Sequence, residues 1–246
     1  MKIDEKLRVA VLSSRRTPGL PELLSHGRET GLYEVVCLLT SEESFAGRGV
    51  AALAGVPILS HSINVFCQQR GRRFTDLSLR EDYDAETVER LRPFAPDALL
   101  FSSYLLIATE PLLAAWPERI VNVHGSDLAR TGPDGCPLYT GLRAVRDAIC
   151  AGESETRATA HIVTERLDDG PILLRSPAFP VAHFVRQLRR NGAAHAVNAY
   201  AYAHQEWMLA SAWGSLLAGS AEILAAAGLL APRLAEDADL VFEELR

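Results

Sequence analysis

PDALLFSSYLLIATEPLLAAWPERIVNVH, residues 96–124, is the stretch that decides the fold. Pro96-Asp97 introduces the apolar run Ala98–Phe101. A helical pattern follows over about 109–116. A second apolar run, Ile120–Val123, carries Asn122 and leads into His124. Neither run alternates apolar with polar residues, as a strand with one wet face would. Continuous apolar strands on either side of a helix belong to a parallel sheet covered on both faces.

The same order repeats toward the N-terminus. Leu7–Ser13 (LRVAVLS) is a buried strand, followed by Pro18-Gly19 and a helix over roughly 20–30. Tyr33–Thr40 (YEVVCLLT) and Gly55–Ser60 (GVPILS) are further strands. Asp84–Leu91 (DAETVERL) opens on an Asp suited to cap a helix. Toward the C-terminus, 138–152 has helical spacing. Thr159–Thr164 and Pro171–Leu174 pair as antiparallel strands around the turn Leu167–Gly170, and 185–218 is helical with an interruption near Asn191-Gly192. The Ala/Leu-rich segment 216–231 reads as a packed helix, and the last fifteen residues as an acidic tail or short helix. The expectation is an α/β domain over 1–218, with a doubly wound, mostly parallel sheet and an antiparallel edge pair. A C-terminal helical and acidic extension covers 219–246.

Composition excludes several classes. The 246 residues are 48% hydrophobic and 23% charged, ordinary for one globular domain. A net charge of -6 argues against a nucleic-acid surface. No apolar run approaches the length of a membrane span, and the N-terminus lacks the apolar core of a signal peptide. Cys37, Cys67, Cys136 and Cys150 are scattered, which fits reduced thiols in a cytoplasm and neither a metal site nor a disulfide framework.

Open α/β sheets bind ligands beyond the carboxyl ends of their strands. Those ends here are Ser13–Gly19, Ser102–Ile107, Asn122–Ser126 and Thr164–Gly170. Asn122 and His124 stand two apart on one strand, so both side chains point to one face. Asp168, in the turn 44 positions beyond His124, is placed to reach the same point. An amide, an imidazole and a carboxylate together can hold an oxyanion and move a proton, which acyl transfer to an amine requires. Singly, each has a plainer use: Asn122 as a turn former, Asp168-Asp169-Gly170 as a tight turn. Ser13, Ser14, Arg15 and Arg16 follow the first strand, where an anion can sit at a helix N-terminus or the turn can simply be solvated.

Arg119–Ser126 (RIVNVHGS) and Ala158–Leu174 (ATAHIVTERLDDGPILL) together resemble the folate-dependent formyltransferases, most closely the single-domain glycinamide ribonucleotide type. Arg73-Phe74, Tyr83-Asp84, Pro96–Leu100 and Gln205-Glu206 extend the likeness over roughly residues 7–220. The resemblance implies 10-formyltetrahydrofolate as co-substrate, a small-molecule amine as acceptor, and no metal. It implies Asn122, His124 and Asp168 as catalytic residues, with His161 behind them. It places the folate against Tyr104, Leu105, Leu106 and Ile107 and against Thr164, Glu165, Arg166 and Leu167. Ser13, Ser14, Arg15, Arg16 and Glu206 are then candidates for the acceptor.

The departures concern the acceptor. The family's purine enzyme carries a Gly-Ser-Asn turn after its first strand, where this chain has Ser13-Ser14-Arg15. Its usual Pro-Ser after the histidine is Gly125-Ser126 here, and Leu105 stands where a basic residue is common. The connection Asp127–Pro137 is longer than usual. These leave open another amine, such as an amino sugar or a secondary metabolite. A non-catalytic ligand-binding module on the same fold would have no need for Asn122, His124 and Asp168 together. The aromatic groups Tyr200, Tyr202, Trp207 and Trp213 allow a homodimer contact, with packing on the sheet as the simpler use.

Overall fold

The computed structural model describes residues 6–234, with side chains described to Gly228. The acidic tail therefore lies, from Ala235 onward, outside the described residues. In chain order the strands are β1 (Leu7–Ser13), β2 (Tyr33–Thr40), β3 (Ile58–Ser60), β4 (Ala98–Phe101) and β5 (Ile120–His124), then β6 (Glu155–Thr156), β7 (Thr159–Ile162), β8 (Ile172–Arg175) and β9 (Phe179–Pro180). The helices are α1 (Leu20–Thr30), α2 (Arg48–Leu53), α3 (Ile63–Gln69), α4 (Arg80–Leu91), α5 (Glu110–Ala115), α6 (Ala144–Ala151), α7 (Phe184–Arg190) and α8 (Ala194–Leu234).

Seven strands form one sheet in the order β3-β2-β1-β4-β5-β7-β8. The first five are mutually parallel; β7 runs antiparallel to β5, and β8 to β7. The chain winds outward from β1 to β3, then returns to build β4 and β5 on the other side of β1. A crevice opens at that reversal, beyond the carboxyl ends of β1 and β4. Successive residues of β1 face opposite layers. Val9 and Val11 join a core with residues of α1, α6 and α8, whereas Ala10 and Leu12 join Leu112 of α5 and Leu91 of α4 on the other face. Each fully buried aliphatic side chain contributes about 1.5–3 kcal/mol, which is why the buried run Val9–Leu12 is apolar without a break.

Local chemistry sets the helix limits. Gly19 takes φ 76° ahead of α1, Pro21 occupies its first turn, and Gly31 at φ 68° closes it with its N–H on Gly27 O. Asp84 does not start a helix as the sequence predicted, because α4 begins at Arg80. Asp84 is instead buried in α4, and its Oδ2 accepts both the N–H and the hydroxyl of Thr109, each at 2.7 Å, which anchors the residue that leads into α5. The helix expected over 138–152 is confined to α6, and the strand expected from Gly55 begins at Ile58. The helices α2 and α3 and the two-stranded pair β6-β9 are additions the apolar pattern did not signal.

The C-terminal helix α8 spans 41 residues and runs unbroken through 218. Among the described residues it is the one helix long and apolar enough to cross a membrane, yet 67% of its most apolar window is buried within the fold. Its aromatic groups are mostly used there. Trp213 and Met208 are core residues, Trp207 meets Phe179 edge to face at 4.8 Å, and Tyr200 Oη accepts Ala182 N at 2.7 Å. Gly214 and Gly19 let α8 and α1 touch backbone to backbone: a Cβ on Gly19 would lie 2.5 Å from Gly214 N.

Candidate active site

A cavity of about 760 Å³ opens at the carboxyl ends of β1, β4 and β5. One wall is the segment after β4, from Ser103 to Ala108, with Val163 and Thr164 after β7. The opposite wall comes from Arg15 and Arg16 after β1, from Val145 of α6, and from Tyr202, Leu209 and Trp213 of α8. Asn122, His124, His161 and Asp168 lie on its surface together.

Strand pairing brings the polar group together. Antiparallel β5 and β7 place Asn122 directly opposite His161, and the Asn122 amide nitrogen lies 3.2 Å from His161 Nε2. His161 Nδ1 lies 3.0 Å from Ile162 O, a carbonyl that can only accept. In a neutral ring that fixes the proton on Nδ1 and leaves Nε2 to accept one N–H of Asn122, with the other amide N–H free for a ligand. The Asp168 carboxylate stands between the two imidazoles, 3.5 Å from His124 Nδ1 and 3.6 Å from His161 Nε2. Its one short contact is with Gly141 N, at 2.7 Å. Asp168 sits at φ 53°, a left-handed conformation that Asp adopts more readily than most residues. Gly170 lets that turn close, because a Cβ there would fall 1.9 Å from Ile162 O.

Charge is finely opposed in this cluster. Burial pushes the Asp168 carboxyl up, but His161, His124 and the Gly141 N–H together outweigh it and hold the group below its ordinary value. Burial pushes the His124 imidazole down, more than the facing Asp168 restores. His124 Nε2 donates to Tyr139 O at 3.2 Å, so both ring nitrogens face oxygens that accept. A second proton on this ring would find Asp168 waiting for it.

Not every residue singled out from the sequence lies on the cavity. Tyr104, Leu105, Leu106, Ile107, Thr164, Arg166 and Leu167 line it, as do Arg15 and Arg16. Glu165 is exposed and stands off the wall. Ser13 and Ser14 are buried behind it: Ser13 Oγ pairs with Thr17 Oγ1 and Ser14 Oγ with Ser41 Oγ, both at 2.8 Å. Here these side-chain bonds support the turn and stand in place of the ligand contacts expected of the two serines. Glu206 is likewise off the wall, held by both guanidinium nitrogens of Arg16 at 2.7 and 2.8 Å. Sequence reasoning missed Tyr139 and Gly141, whose contributions are backbone atoms and leave no residue-type signal. It also missed Leu142 as a wall residue, and Trp213 as one rather than a purely structural group.

Fold and polar cluster together define an α/β domain with a polar cleft at its switch point. Residues 7–219 match the Formyl transferase family, and the chain belongs to it. The likeness drawn from the sequence is thereby confirmed, as is the formyltransferase-type sheet with its antiparallel edge pair. Over 186 residues the chain is 30% identical to the trifunctional purine biosynthetic protein adenosine-3 of Drosophila melanogaster, covering 74% of this chain and 12% of that protein. It is 31% identical over 97 residues to the phosphoribosylglycinamide formyltransferase of Escherichia coli (strain K12), covering 39% of this chain and 42% of that one. The match thus spans about an eighth of the first relative and under half of the second. Among solved structures, glycinamide ribonucleotide transformylase 1 from Symbiobacterium toebii aligns at TM-score 0.59 and 27% identity, over 82% of this chain and 88% of that chain. A formyltetrahydrofolate deformylase from Burkholderia mallei ATCC 23344, at 20% identity and TM-score 0.59 over 88% of this chain and 67% of that one, shares the fold.

Proposed function

We propose that the chain transfers the formyl group of 10-formyltetrahydrofolate to a primary amine of a small molecule, as its relatives named phosphoribosylglycinamide formyltransferases would. The observation that carries this reading is the convergence of Asn122, His124 and Asp168 on one cavity surface. The amine nitrogen bonds to the formyl carbon, and the carbonyl oxygen takes up negative charge. The free amide N–H of Asn122 meets that oxygen, while His161 keeps the amide in place. As the amine loses a proton, the His124–Asp168 pair accommodates it, because a doubly protonated His124 has an acceptor on each side. The bond from carbon to the folate nitrogen then breaks, and that nitrogen leaves as protonated tetrahydrofolate amine. The apolar Leu105–Ile107 segment and Leu167, which line the cavity, would cover the folate ring.

The reading includes a small-molecule partner, without nucleic acid or membrane, in a cytoplasm that keeps the four unpaired cysteines reduced. Release of tetrahydrofolate, followed spectroscopically with 10-formyltetrahydrofolate and phosphoribosylglycinamide or another primary amine, tests it. His124→Ala should abolish that release in a folded protein; turnover near the wild-type rate would sink the mechanism.

A further inference from the structure

The turn after β1 offers few side-chain donors to an anionic acceptor group. Besides its bond to Ser41, Ser14 Oγ accepts Leu105 N at 3.0 Å, and the Ser14 N–H is given to Ser103 O at 3.1 Å. Pro18 and Pro21 have no N–H to give. The N-terminus of α1 is shut by α8, where Gly19 and Gly214 touch. Arg16 is spent on Glu206, which raises the guanidinium and lowers the carboxyl from their ordinary values. Arg15 is exposed, lines the cavity and forms no ion pair among the described residues. Arg15 is thus the one side-chain cation of this turn without an ion pair among the described residues.

Apart from Gln205, the part of this wall that α8 supplies is mostly apolar. Tyr202, Leu209 and Trp213 are seven and then four residues apart, one stripe of α8. Tyr202 is 65% exposed and Leu142, in the same cavity, 72%. The indole N–H of Trp213 is buried without a partner. Sugar hydroxyls pressed against this surface would lose water and gain few hydrogen bonds. A flat ring would gain from the same contact.

We propose, resting on the formyl-transfer reading above, that the acceptor is a primary amine on a flat apolar body with a single anionic group. The body lies against Tyr202, Leu209, Trp213 and Leu142, and the anion meets Arg15. A phosphorylated sugar amine is a poor fit, and the Arg16–Glu206 pair is the specificity device that removes the second cation.

Calorimetric titration of the full chain tests this in two stages. Tetrahydrofolate is added first; then 4-(aminomethyl)benzoate, benzylamine and glycinamide ribonucleotide are titrated separately into the folate complex. The benzoate should bind at least tenfold more tightly than either of the others. Arg15→Gln should erase its advantage over benzylamine, and Tyr202→Ala should weaken both aromatic amines tenfold or more, with circular dichroism confirming the fold. Equal or tighter binding of glycinamide ribonucleotide, or binding of no aromatic amine, overturns the proposal and leaves the formyl-transfer reading standing. Failure of tetrahydrofolate itself to bind overturns both.

Discussion

Asp168→Asn separates charge from shape at the centre of the site. Asn tolerates the left-handed φ of 53° about as well as Asp, and its amide oxygen can still accept the Gly141 N–H now at 2.7 Å. The loss is a negative charge 3.5 Å from His124 Nδ1. At an effective dielectric of about 20, that charge and a proton on His124 attract by about 5 kcal/mol. The amide dipole and local relaxation return part of this, leaving about 3–4 kcal/mol, or two to three powers of ten in rate. We therefore expect kcat/KM, measured by tetrahydrofolate release, to fall roughly 150- to 900-fold. The melting temperature should drop by only about 2–4 °C per kcal/mol of weakened turn contact. A second signature follows from the sign of the interaction. Asp168 raises the His124 pKa against the downward push of burial, so its removal should move the acid limb of the pH profile to lower pH. A loss under tenfold in folded protein, or a limb moving upward, would refute the reasoning.

Three further outcomes are expected. Asn122→Ala should cost roughly 10²–10³ in kcat, the usual effect of losing one oxyanion donor, with an unchanged far-ultraviolet spectrum; an unchanged kcat would remove Asn122 from the chemistry. Gly170→Ala puts a Cβ against Ile162 O at 1.9 Å and should destabilise by at least the ~1–3 kcal/mol of an overpacked core, read as a lower urea midpoint. A wild-type midpoint would mean the β7–β8 turn yields freely. His61, 3% exposed, is pushed by burial down to about 4. The unfolded chain binds that proton near 6.5 and the folded one does not, so stability is full above pH 6.5 and lost as pH falls toward 4. The loss amounts to about 3 kcal/mol. His61→Phe keeps a ring against Tyr83 and should flatten this part of the urea-midpoint curve; an identical slope would assign the acid sensitivity elsewhere.

The strands and the convergence of Asn122 with His124 on one face were legible because both depend on residue type in a fixed period. A run such as Ala98–Phe101 has to be buried on both faces, and Asn122 and His124 have to share one face. What stayed hidden depends on atoms common to all residues or on partners distant in sequence. Asp84 looks like a helix cap by its type, but it is buried inside its own helix and instead anchors Thr109, the residue just before α5. Ser13, Ser14 and Glu206 sit where ligand contacts are expected, and nothing in their spacing shows that Thr17, Ser41 and Arg16 have already taken them. The short helices α2 and α3 have six and seven residues, too few turns for an apolar period to stand out.

The segment between β5 and α6 has a larger role than lining one side of a pocket. Asp168 contacts its two imidazoles only at 3.5 and 3.6 Å, too long to fix a carboxylate by themselves. Its short bond is to Gly141 N, and the carbonyl two residues earlier, Tyr139 O, takes His124 Nε2 and also Ser126 Oγ. Tyr139 is tied in turn to Glu153 at 2.8 Å, which Arg130 holds at 2.8 Å from the other arm of the segment. The backbone of this connection therefore sets the rotamer of the acid and the tautomer of the base. The bridge between Thr131 and Pro137 closes the long part of the connection into a hairpin, and Leu142 follows Gly141 directly onto the cavity wall. Lengthening or reshaping this connection changes the acceptor's wall and the alignment of His124 with Asp168 together. In the proposed reaction, an acceptor that displaced Tyr139 or Gly141 would disarm the pair that takes its proton, so acceptor choice and proton transfer would depend on the same few backbone atoms.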